Sequence, residues 1–204
     1  IKLNCMCFQN GKEYSDMAIK IFIDQGHNPV NPNAGAEGNG YREQDLVYYI
    51  GKELEALLNA NPNFEARTSR NDPDEILGTS TATSLAARAD TANTWGADYF
   101  ISIHANASEI ADASGSEAFV YSSSSPAYAL AENILIGLTE ATGLENRGVF
   151  SRPTLYVLRK TKMPALLLEV GFITNADDAQ LMADNPNLIA RGIYNGILRY
   201  FGLG

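Results

Sequence analysis

Residues 19–27 read Ile19-Lys-Ile-Phe-Ile-Asp-Gln-Gly-His27. The first five are apolar, mostly β-branched or aromatic, apart from Lys20. That pattern predicts a buried strand. The apolar run stops at Asp24 and a Gly-His pair follows. A histidine just past the carboxyl end of a core strand sits where open α/β sheets place their ligands. A second stretch, Tyr99-Phe-Ile-Ser-Ile-His104, ends the same way, and the chain has only two histidines. Two strands that each deliver an imidazole at the exit point to one shared site.

The rest of the composition fits a globular protein better than a binder of polyanions. With 204 residues and 45% hydrophobic content, the chain can bury a sizeable core as one domain. The net charge of −9 argues against a nucleic-acid partner, which calls for a basic face. No apolar run reaches the roughly 18 residues of a membrane span. Cys5 and Cys7 stand two apart, too close for an unstrained bridge, and lack a second pair for a zinc knuckle. They read as free thiols. No signal peptide is visible, because no basic region leads into an apolar one. Residues 1–18 read as an N-terminal extension or leader remnant ahead of a domain covering 19–204. A small hairpin turning at Asn10-Gly11 is the alternative.

Strand and helix patterns alternate beyond His27. Residues 28–40 are rich in Asn, Pro and Gly, which predicts a long loop. Arg42-Glu-Gln-Asp45 then leads into the stripe Leu46, Val47, Ile50, Leu54, Leu57 and Leu58, a helix with Glu43 in or just before its first turn. Phe64–Thr68, Glu117–Tyr121, Leu155–Leu158 and Ala165–Val170 read as further strands. Helices are expected from Ser84 as cap to Trp95, from Pro126 to Gly143, and over Ala176–Ala183 and Leu188–Phe201. This order predicts an α/β fold: a mainly parallel, twisted sheet of about six strands with helices on both faces.

His27, His104 and a carboxylate would make a two-nitrogen, one-oxygen ligand set of the kind that holds zinc with a position open for water. Glu43 is the candidate carboxylate, with a plain N-terminal helix charge as the alternative. Glu169 is the single charge in Leu166-Leu-Leu-Glu-Val-Gly-Phe172. Burying a lone carboxylate is costly, so it has a partner, a raised pKa or both. It is a candidate general base and acid, or else a satisfied strand-end carboxylate. Arg42, Asp45 and Asp24 read as salt-bridge or capping residues, and Tyr48-Tyr49 as packing.

At these residues the chain resembles the zinc-dependent N-acetylmuramoyl-L-alanine amidases of the Amidase_3 family, which cut bacterial peptidoglycan. The matching pieces are Ile23-Asp-Gln-Gly-His27, Gly40-Tyr-Arg-Glu-Gln-Asp45, Ser69-Arg70, Ala97 through Ala107, and Met163 through Asn175. They run in the family's order over nearly the whole chain. The resemblance implies one Zn2+ held by His27, Glu43 and His104, with Glu169 as the catalytic carboxylate. It implies hydrolysis of the amide between the lactyl group of N-acetylmuramic acid and the first L-alanine of the stem peptide, at the bacterial cell wall, by an autolysin or a phage endolysin. Asn106 is a candidate substrate contact, a structural turn role being the alternative. Some relatives insert an autoinhibitory helix after the second histidine strand. Here only Ser108–Ser114 follows, so no such brake is expected, nor is a wall-binding repeat seen. A zinc peptidase acting on the stem peptide and a non-enzymatic wall-binding module are the competing readings.

Overall fold

The computed structural model describes residues 18–204; the thiols Cys5 and Cys7 and the Asn10-Gly11 turn lie outside them. The strands are β1 (Ile19–Gln25), β2 (Glu37–Gly38), β3 (Tyr41–Arg42), β4 (Phe64–Thr68), β5 (Tyr99–Asn106), β6 (Ser116–Val120), β7 (Asn146–Ser151) and β8 (Ala165–Phe172). The helices are α1 (Glu43–Asn59), α2 (Thr81–Trp95), α3 (Pro126–Thr142), α4 (Tyr156–Lys160), α5 (Ala176–Asp184) and α6 (Pro186–Phe201).

Six strands form one sheet in the order β4-β1-β5-β8-β6-β7, and β2 and β3 make a separate two-stranded ribbon. Neighbours are parallel except at β6–β8, which pair antiparallel. The expected mainly parallel α/β sheet is therefore present. It puts β1, β5 and β8 side by side at the centre, with their carboxyl ends at one edge.

Alternation along these strands divides the core in two. Ile21, Ile23, Ile101, Ile103, Leu166 and Leu168 point to one face, where they pack with α1, α3 and α6. Phe22, Phe100 and Leu167 point to the other, under the smaller cluster formed with α2 and α4. On the larger face α3 and α6 approach closely. A Cβ on Gly196 would fall 2.4 Å from the Cα of Ile134, so only glycine allows that backbone contact.

Three local readings are corrected. Leu155–Leu158 is not a strand: the apolar pair Val157 and Leu158 is buried on one side of the short helix α4. A four-residue apolar run does not by itself distinguish the two. The sixth strand is instead β7, a polar edge strand paired only with β6. Helix α2 is capped by Ser80, whose side chain accepts from the Thr83 amide in a reciprocal box. Ser84 is one turn inside, with its hydroxyl buried against Asn28. Within the predicted 28–40 loop, β2 begins a ribbon that pairs with β3 and leads straight into α1.

Candidate metal centre and catalytic carboxylate

Each candidate side chain is delivered by the carboxyl edge of the sheet or by the helix beside it. His104 lies within β5, where its register partner is Glu169 on β8. In parallel strands such partners share a face. The β5–β8 register shifts immediately after His104, and a bulge of this kind commonly re-aims a side chain beside a site. His27 lies two residues past β1, with φ at 67°. Glu43 is the first residue of α1, and its side chain crosses to the sheet edge.

Glu43 joins the two histidines. Its Oε1 lies 3.1 Å from His27 Nε2 and 2.9 Å from His104 Nδ1. The Ala105 amide donates to the same oxygen at 3.1 Å, and the Ala36 amide donates to Oε2 at 2.9 Å. One ligand atom from each of the three residues lies within 4.8 Å of the others. Burial alone would raise the Glu43 pKa, but the hydrogen bonds and charges of both imidazoles outweigh it and hold the carboxyl far below its ordinary range. The donor set of two imidazole nitrogens and one ionised oxygen, gathered at one point, fits a divalent metal. The imidazole rings are 4.8 Å apart, edge to face.

Glu169 faces the opposite situation. Its Oε2 is shut off from solvent and has no hydrogen-bond partner among the described residues. Burial, then the charges of Glu43 and Glu117, push its pKa up to about 8. Two carboxylates in one site, one driven down and one up, make the environmental split that separates a ligand or charge stabiliser from a proton carrier.

Asn106 is held beside the carboxylates, through Glu117, the cross-strand partner of Glu169. Its Nδ2 donates to Glu117 Oε1 at 2.9 Å and its Oδ1 accepts from the Ala107 amide, so both polar ends are engaged within the protein. Asp24 is in a buried ion pair with Arg88 at 2.6 Å, and Arg42 pairs with Asp45 at the surface, as read from sequence. Tyr48 packs under the Arg70 guanidinium and donates to the Asn71 carbonyl.

Three contributors were not singled out from the sequence. Glu117 is the cross-strand partner of Glu169 and is tied to Arg147. Its only signal was a charge in a short strand. Gly26 lies flat on the His104 ring, and a Cβ there would fall 2.5 Å from the ring carbon Cε1. Arg88 is 1% exposed. It interrupts the stripe Leu85, Ala89, Ala92, and a charge inside an apolar stripe was the available clue. A hollow of about 140 Å3 opens beside the imidazoles, walled by Leu85, Leu155, Val157 and Leu167.

The profile of the Amidase_3 family, N-acetylmuramoyl-L-alanine amidase, matches residues 21–199. The chain belongs to this family. It is 35% identical over 189 residues to the N-acetylmuramoyl-L-alanine amidase CwlM of Bacillus licheniformis, an alignment covering 91% of this chain and 70% of that protein. It is also 35% identical to LytC of Bacillus subtilis, where 89% of this chain spans only 35% of the relative. Among solved structures, the catalytic domain of the amidase CwlV from Bacillus (Paenibacillus) polymyxa superposes with a TM-score of 0.78 at 32% identity. That match covers 91% of this chain and 99% of the other.

Proposed function

We propose that residues 19–204 form a zinc-dependent catalytic domain that hydrolyses the amide between the lactyl group of N-acetylmuramic acid and the L-alanine of the peptidoglycan stem, acting at the bacterial cell wall. The observation that carries this reading is the gathering of His27, Glu43 and His104 around one point, with Glu169, whose buried Oε2 has no hydrogen-bond partner among the described residues, on the neighbouring strand. Family membership supplies the bond to be cut.

In this reading His27 Nε2, His104 Nδ1 and Glu43 hold the metal. A zinc ion held there lowers the pKa of a water towards about 7 and polarises a carbonyl oxygen. The remaining work falls to side chains. Glu169 accepts the proton of the water as its oxygen bonds to the lactyl carbonyl carbon. It then delivers that proton to the alanine nitrogen as the C–N bond breaks, releasing a free carboxyl on the sugar side and a free amine on the peptide. A base whose pKa is lifted towards the working pH can both take and return a proton. A divalent cation held by His27, Glu43 and His104 would oppose the charges of Glu43 and Glu117 that help raise the Glu169 pKa. The amides of Ala36 and Ala105 fix the Glu43 carboxylate so that its orientation does not depend on the metal.

Digestion of purified peptidoglycan followed by mass analysis tests the reaction. The expected products are intact stems carrying new alanine amino termini. Stems shortened internally would identify a peptidase instead, and an unchanged sacculus bound by zinc-loaded protein would identify a binding module.

A further inference from the structure

A metal-ligating histidine is ordinarily oriented by a hydrogen bond from its second ring nitrogen to a carboxylate, a carbonyl or water. His27 lacks one: its Nδ1 is buried with no partner among the described residues. Its backbone is also in the left-handed region, with φ at 67°. A residue other than glycine persists there only where its surroundings over-determine it. The contacts made by its main chain therefore bear on where this side chain sits.

Arg88 supplies such contacts. It reaches from α2 under the carboxyl end of β1. Its Nη2 donates to the His27 carbonyl at 2.5 Å, and its Nη1 donates to the Gln25 carbonyl at 2.5 Å, so one guanidinium spans Gly26. Nη1 also donates to Asp24 Oδ1 at 2.6 Å, while Asp24 Oδ2 accepts from Ser102 Oγ on β5 at 2.7 Å. Nη2 lies 3.3 Å from Asn28 Oδ1. The clamp thus holds the backbone on both sides of Gly26 and ties it to the strand that carries His104. Gly26 in turn lies flat against the His104 imidazole. Displacing the 25–27 backbone would move both rings.

We infer that Arg88 is a positioning residue: it orients His27 through the main chain and sets its spacing from His104. The proposal rests on the reading that His27 ligates zinc. A guanidinium is suited to it because a planar fork can meet two carbonyls and a carboxylate at once. A lysine ammonium has neither the fork nor the fixed directions.

The test is zinc affinity by chelator competition for the wild type, Arg88→Lys, Arg88→Ala and Gly196→Ala, alongside the melting temperature of each chelator-treated protein. Gly196→Ala loosens the remote α3–α6 contact and serves as the control for lost stability. Arg88→Lys is expected to bind zinc about 10–100-fold more weakly, the usual cost of losing an outer-shell partner, and Arg88→Ala at least as weakly. Gly196→Ala is expected to keep wild-type affinity despite melting earlier. Folded Arg88→Lys with wild-type affinity overturns the proposal, as does an equal loss of affinity in Gly196→Ala at the same loss of melting temperature. If Arg88→Ala does not fold, Arg88→Lys decides. A wild type that binds no zinc refutes the metal reading itself and the clamp with it, whereas tight wild-type binding unaffected in Arg88→Lys refutes the clamp alone.

Discussion

The two faces of the sheet are built differently. Under α1, α3 and α6 the core is aliphatic and nearly sealed, with Ile21, Ile23, Ile101, Leu166 and Leu168 fully buried. Under α2 and α4 the same central strands carry Asp24, Ser102, His104 and Glu169 among fewer apolar residues, beside a hollow of about 140 Å3. One face supplies stability through dense packing. The other accepts buried charge and an unpartnered carboxylate, which cost stability. A side chain's face should therefore foretell whether its replacement harms folding or chemistry.

Three substitutions probe that division. Glu169→Gln has the largest expected effect: turnover falls by about 10²–10⁴-fold, the usual worth of a positioned acid–base group, while zinc remains bound. Near-normal turnover, measured as free amine released from peptidoglycan, would remove Glu169 from the mechanism.

The same residue predicts a pH effect of opposite sign to an ordinary paired carboxylate. Its folded pKa is raised to about 8 from the ordinary 4.5 of a glutamate. Between those values the folded state holds a proton that the unfolded chain does not. Stability of the chelator-stripped protein therefore falls as pH rises through this window, by on the order of a few kcal/mol. The decline should be largely absent in Glu169→Gln. Parallel curves for both proteins from denaturant titrations at pH 5 and pH 8 would show that Glu169 is not desolvated.

On the aliphatic face, Gly196→Ala should destabilise by about 1–3 kcal/mol through overpacking against α3, with turnover per folded molecule unchanged. Loss of turnover without loss of stability would break the division between faces. Arg42→Ala removes a surface pair with Asp45 and should shift stability by no more than about 0.5 kcal/mol. A larger shift in thermal melts would mean that this pair also anchors the start of α1.

Much of this was legible in the chain. Strands β1, β5 and β8 announced themselves because strands buried on both faces read as continuous apolar runs. The convergence of two histidines was foreseeable from their matching positions at strand exits. Glu169 stood out as one charge in an apolar run. The edge was harder to read: β7 pairs on one side only and carries Asn146, Arg147 and Ser151, so no hydrophobic signal marks it. Arg88 was missed because arginine on a helix ordinarily faces water; its place in the stripe Leu85, Ala89, Ala92 was a weak clue, and the long-range contacts with Gln25 and His27 show what it holds. Gly26 needed the position of a ring 78 residues away in sequence to explain it.

The account stands on three donors closing around one cation. Elemental analysis of the purified wild type beside His27→Ala tests it most directly. About one zinc per wild-type chain, and a sharp drop in a folded His27→Ala, is the predicted result. Full zinc occupancy in His27→Ala, or none in the wild type after incubation with the metal, would contradict it.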